Sequence, residues 1–94
     1  MVSFTVRMEF EASDRDAVGE MLHYLGAASR EEAGCINYIA HFVESLPATV
    51  LIYEQYVDEV AVEFHRNSPH FDQYANALYK IMLSRTVENL EAVD

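Results

Sequence analysis

The stretch CINYIAHFVESLPATVLIYEQYV, residues 35–57, decides the fold. Its first half puts Ile36, Tyr38, Ala40 and Phe42 on one side of an extended chain, and Cys35, Asn37, Ile39, His41 and Val43 on the other. Both sides are largely apolar, the pattern of a strand covered on both faces. Glu44 to Ala48, with Pro47 among them, supplies turn chemistry. Val50, Leu51, Ile52, Tyr53, Tyr56 and Val57 then make another strand that is apolar on both faces, and the two pair as an antiparallel hairpin.

Toward the N-terminus, Val2, Phe4, Val6, Met8 and Phe10 alternate strictly with Ser3, Thr5, Arg7, Glu9 and Glu11, which predicts a half-buried strand over residues 2–11. Ser13 with Asp16 reads as a capping box, and Val18, Met21, Leu22, Leu25 and Ala28 recur at helical spacing over residues 14–32, with Gly34 ending the helix. Toward the C-terminus, Asp58 is an N-cap for a short helix with Ala61, Phe64 and His65 on one side. Ser68 and Pro69 open the next helix, whose inward stripe is Phe71, Tyr74, Leu78 and Ile81. Residues 84–93, with Thr86, Val87, Leu90 and Val93, read as a fourth strand.

The order strand, helix, strand, strand, helix, strand is the split βαβ arrangement of ferredoxin-like α+β domains, with helices on one face of an antiparallel sheet. Helices cover only that face, whereas the central hairpin is apolar on both. A second copy stacked sheet to sheet would bury the remainder, so the pattern predicts a homodimer.

Ninety-four residues suit one domain spanning 1–94. A formal charge of −10, from sixteen acidic and six basic residues, repels a phosphate backbone and an anionic membrane surface alike, so neither nucleic acid nor membrane is an expected partner. No apolar run is long enough to span a bilayer, and the N-terminus lacks the basic segment and apolar core of a signal peptide, so the cytoplasm is the expected location. The lone Cys35 has no internal disulfide partner and, beside Gly34 at a strand start, reads as a small packed residue.

Among the chemistry-bearing residues, His65 shares a helical face with Ala61 and Phe64 and should point inward. It is then either a general base or a core imidazole satisfied by a carboxylate or carbonyl. Glu54 shares its strand face with Val50 and Ile52, where an unpaired charge is expensive, and its natural partner is His65 or His70. His70, in the first turn of its helix, is a pocket wall or a surface residue. Asn37 and His41 share one face of the second strand and Tyr38 takes the other, and sequence leaves open which set sees a pocket. Tyr74 lies on the inward stripe of its helix. His65 and His70, five apart across Pro69, lack the one-face spacing of a helical metal site, so no metal is expected, and no Gly-rich loop calls for a nucleotide.

Residues 30–41 (REEAGCINYIAH), 51–56 (LIYEQY) and 58–71 (DEVAVEFHRNSPHF) together resemble the antibiotic biosynthesis monooxygenase family, which includes quinol monooxygenases. The resemblance implies a dimeric α+β barrel, a pocket in each protomer between sheet and helices, and cofactor-independent oxygenation of a phenol, quinol or anthrone by dioxygen. In that chemistry a base removes a proton from a small aromatic substrate and the anion itself reduces dioxygen. His65 would take the proton and Glu54 orient it, while Asn37, Tyr38, His41, His70 and Tyr74 would face the substrate. Two other functions fit the same residues: an isomerase or degrading enzyme for a small oxygenated metabolite, and a non-catalytic dimeric ligand-binding protein.

Overall fold

In the computed structural model, which describes residues 1–94, strands β1 (Val2–Glu9), β2 (Cys35–Phe42), β3 (Thr49–Tyr56) and β4 (Ser84–Leu90) form one sheet in the order β2-β3-β1-β4, every neighbouring pair antiparallel. Helices α1 (Arg15–Arg30), α2 (Glu59–Arg66) and α3 (Asn76–Ile81) complete a ferredoxin-like α+β fold. A π-helical turn, Phe71–Ala75, leads into α3.

The strict alternation of β1 works as expected: Phe4, Val6 and Met8 are buried toward the helices, and Arg7 and Glu9 are exposed. The register carries that parity across the sheet. Phe4 lies opposite Glu54, which lies opposite Tyr38, and the next rows toward the far end join Val6, Ile52 and Ala40, then Met8, Val50 and Phe42. Glu54 is therefore built into the apolar, helix-facing side of the sheet. The other side carries Ile39, Leu51, Tyr53 and Leu90 among Thr5, Asn37, His41 and Gln55.

Several local expectations are corrected. The Ser13–Asp16 capping box does not form; a 3-10 turn over Ala12–Asp14 precedes α1, whose N-cap Asp14 makes no side-chain cap bond. Gly34 does not end α1 in a left-handed conformation, for no glycine has positive φ. A Cβ at Gly34 would fall 2.4 Å from the Ala61 Cβ, so the residue is small because the turn after α1 presses on α2. A bulge between Cys35 and Asn37 leaves Ile36 unpaired and 44% exposed, off the Tyr38 face where alternation put it, and aligns Cys35 with Tyr56 on the core side. On α2 the inward stripe is Ala61, Val62 and His65, spaced three and four apart, while Phe64 is 64% exposed. β4 ends at Leu90 rather than at residue 93.

Asp58 caps α2 as expected, accepting from the Ala61 N–H at 2.8 Å. Ser68 accepts from the Phe71 N–H at 3.2 Å and donates to the His65 carbonyl at 2.7 Å, tying the two helical segments together beside His65. No helix is long and apolar enough to cross a membrane.

Candidate functional site

The buried side of α2 delivers His65 onto the Glu54 row of the sheet, beneath the rings of Tyr38, Tyr56 and Phe71, whose centroids lie 5.7, 5.3 and 5.2 Å from the imidazole. His65 Nδ1 is 2.9 Å from Glu32 Oε2, and the same oxygen lies 2.5 Å from His70 Nε2. On its other side, His65 Nε2 is 3.6 Å from Glu54 Oε1, beyond hydrogen-bond distance. That Glu54 oxygen accepts instead from the Tyr56 hydroxyl at 2.6 Å. Both carboxylates and His65 are nearly sealed from solvent.

This geometry sets the tautomer. With a carboxylate accepting at Nδ1, the neutral ring carries its lone pair on Nε2, the nitrogen turned toward Glu54. Burial pushes the His65 pKa down, opposed by the hydrogen bond and charge of Glu32, so the ring favours its neutral form. Burial pushes Glu54 up to about 7, against the Tyr56 hydrogen bond and the charges of Arg66 and Arg85. A neutral imidazole with a free nitrogen thus stands beside a carboxyl that exchanges its proton near neutrality. Burial likewise raises the Tyr38 phenol well above its ordinary value, keeping it a donor, and raises the Cys35 thiol to about 11.

His65, Glu54 and Tyr38 line a cavity of about 40 Å³ between sheet and helices, walled by Phe4, Val6, Phe71 and Tyr79 and bordered by Arg66 and Arg85.

A family model described as "Antibiotic biosynthesis monooxygenase" matches residues 1–77, the greater part of the chain. The chain belongs to the antibiotic biosynthesis monooxygenase family. Its fold is also that of a crystal structure named for this activity, at 20% identity over 100% of both chains and a TM-score of 0.93. PA3566 from Pseudomonas aeruginosa is similar at 24% identity, covering 99% of this chain and 94% of its own, with a TM-score of 0.91. Rv0793 from Mycobacterium tuberculosis is similar at 23% identity, with coverage of 99% and 95% and a TM-score of 0.88. Family membership supports a function of the general monooxygenase type on a small molecule.

In this monooxygenase-family chain, not every residue singled out by sequence reaches the cavity. Tyr38, Glu54 and His65 do. Asn37 and His41 do not, because the parity set by β1 and the bulge turns them to the helix-free face, where the Asn37 amide donates to the Gln55 side chain at 2.9 Å and His41 Nδ1 lies 3.0 Å from the Leu51 carbonyl. Tyr74 faces away from it and stacks on Tyr24, centroids 5.9 Å apart, over an outer groove with Ala17 and Met21. His70 lies behind His65, on Glu32, and is not a cavity wall.

The partner expected of Glu54 is there in part: His65 stands 3.6 Å away as an ion-pair neighbour, but the hydrogen bond to Glu54 comes from Tyr56, and the carboxylate that hydrogen-bonds His65 is Glu32. Glu32 carries a signal in the sequence. Val18, Leu22, Leu25, Ser29 and Glu32 follow spacings of four, three, four and three, so Glu32 prolongs the buried stripe of α1 past the helix end, and all five are buried.

Glu32, His65 and His70 are the residues that could hold a metal, with donor atoms within 4.8 Å of one another. Their five-residue separation does not keep the histidines apart, because the chain turns at Asn67–Ser68. Yet two zinc ligands at about 2.0–2.1 Å and a tetrahedral angle sit roughly 3.3 Å apart. The 2.5 and 2.9 Å approaches to Glu32 Oε2 are those of shared protons, not of donors spread around an ion.

Proposed function

We propose that this protein is a cofactor-independent monooxygenase of small phenols, quinols or anthrones, working as a cytoplasmic homodimer. The observation that carries the reading is His65, with Nδ1 held by a buried carboxylate and its basic Nε2 beside a small cavity walled largely by apolar and aromatic side chains. A phenol or activated methylene placed there gives its proton to Nε2, and Glu32 stabilises the imidazolium that forms. The anion left behind is electron-rich enough to reduce dioxygen itself. For an anthrone, the methylene becomes a carbonyl that keeps one oxygen atom, while the other leaves as water with both methylene hydrogens. Glu54, with its pKa raised to about 7, supplies a proton to the departing oxygen and is refilled, through His65, by the second methylene proton released as the carbonyl forms, so both groups end the turnover as they began. The apolar walls keep water from competing.

A cavity of about 40 Å³ accepts a few water molecules. A benzene-sized ring takes roughly 150 Å³, so substrate entry displaces Phe71 and Tyr79, the half-exposed rings of the wall. On the helix-free face, Ile39 at 45% exposure lies beside Tyr53 and Leu51, and Leu90 at 46% lies across β1 from them; a second copy stacked there would cover all four.

Oxygen uptake with a panel of hydroquinones and anthrones tests the reading. Wild type should consume dioxygen and His65→Ala should not. Equal rates would remove His65 from the mechanism, and turnover that continues without dioxygen would make the protein an isomerase using the same base.

A further inference from the structure

Basic side chains are scarce in this chain, six against sixteen acids, and most have evident work. Arg15 donates to the Pro47 carbonyl and lies over the Phe42 ring. Arg30 donates to the Tyr38 carbonyl at 2.8 Å. Arg7 lies on the helix-free side of the sheet, and Lys80 is exposed on α3.

Arg66 and Arg85 differ from these. One closes α2 and the other stands near the start of β4, yet both border the His65 cavity. Arg85 lies opposite Met8, on the helix-facing side of the sheet. Neither arginine has a carboxylate partner: every ion pair in the protein joins a histidine to Glu32 or Glu54. Arg85 merely lies over the Tyr79 ring, 5.2 Å from its centroid. In a chain so rich in acids, two guanidinium groups brought to one cavity from separate elements, neither in an ion pair although both favour the charge of buried Glu54, make a local positive field on an acidic molecule.

Resting on the reading of this cavity as the active centre, we propose that the substrate is an acid. Its carboxylate or phosphate seats between Arg66 and Arg85, its ring lies along Phe71 and Tyr79, and its reacting end points at His65. The planar fork of a guanidinium matches both anions in bidentate geometry, and the apolar wall between the arginines and His65 suits a ring and little else.

Calorimetric titration of the full chain with hydroquinone, gentisate and hydroquinone monophosphate tests this, using wild type, Arg66→Gln, Arg85→Gln and the double variant. Both arginines are exposed, so the variants should keep the wild-type circular dichroism. In wild type the two acidic probes should bind at least about tenfold tighter than hydroquinone, and each single substitution should remove most of that advantage. Tighter binding of the monophosphate than of gentisate assigns the anion as phosphate, and the reverse order as carboxylate. Equal affinity for all three probes in wild type, or an advantage that survives the double substitution, overturns the proposal. If hydroquinone still binds and turns over through His65 without charge preference, only the acidic substrate is refuted. If no probe binds, the reading of the cavity falls with it.

Discussion

Glu54→Gln should make the protein more stable in mild alkali, because the wild-type carboxyl is held in a place that disfavours its charge. Its pKa is about 7 in the folded chain against 4.5 as the ordinary value, and the side chain is almost fully buried, so no allowance for solvent screening is needed. Between those two values the native state binds more protons than the unfolded chain, so stability falls as pH rises through the interval and levels off above it. From about pH 5 to about pH 8 the loss integrates to about 2.5 kcal/mol. Glutamine keeps an oxygen to accept from Tyr56 and has no charge to form. The variant should therefore match wild type within about 1 kcal/mol at about pH 5 and exceed it by about 2–3 kcal/mol at about pH 8. His65 contributes in the opposite sense: its lowered pKa means that stability is lost as pH falls below 6.5, in both proteins, so it largely cancels in the difference. Urea unfolding of the two proteins across this range gives the comparison directly. Parallel stability curves, separated by a constant amount, would refute the assignment of a displaced proton to Glu54.

Glu32→Gln removes the negative charge shared by two histidines inside a nearly sealed site, and should destabilise by about 2 kcal/mol while lowering kcat on any turned-over quinol by about 100-fold or more. Its pH–rate profile should shift to lower pH, because the carboxylate that raises His65 is gone; an unshifted profile would reduce Glu32 to a packing role. Gly34→Ala should cost about 1–3 kcal/mol in denaturant unfolding, since the new methyl meets the Ala61 Cβ; a further Ala61→Gly substitution should restore most of the loss. Cys35, with its thiol pushed up to about 11, should react with iodoacetamide at neutral pH far more slowly than a free cysteine, as followed by mass spectrometry; reaction at the free rate would show that the thiol is neither buried nor shadowed by Glu32 and Glu54.

The element order, the inward aim of His65 and the cap at Asp58 were all legible along the chain, because each depends on neighbours within a turn or a strand. Period two marked β1, spacings of three and four marked the buried face of α1 and set His65 with Ala61 on the inner side of α2, although Phe64 went to solvent and Val62 inward, and Asp58 sat where a cap is needed. That Glu54 would be buried was legible for the same reason. Its partner was not. Which carboxylate meets His65 depends on how far the end of α1 reaches past the sheet to α2, an offset set by packing of the Gly34 turn on Ala61 between segments some thirty residues apart. Strand faces were equally beyond sequence: one bulged residue, Ile36, reverses the parity of Cys35, and only the register with β3 sends Tyr38 to the cavity and Asn37 and His41 away from it. Local periodicity determined what each segment is and which of its sides is apolar. Tertiary structure alone decided which polar groups those sides bring within a proton's reach, because that distance is fixed by the packing of whole elements.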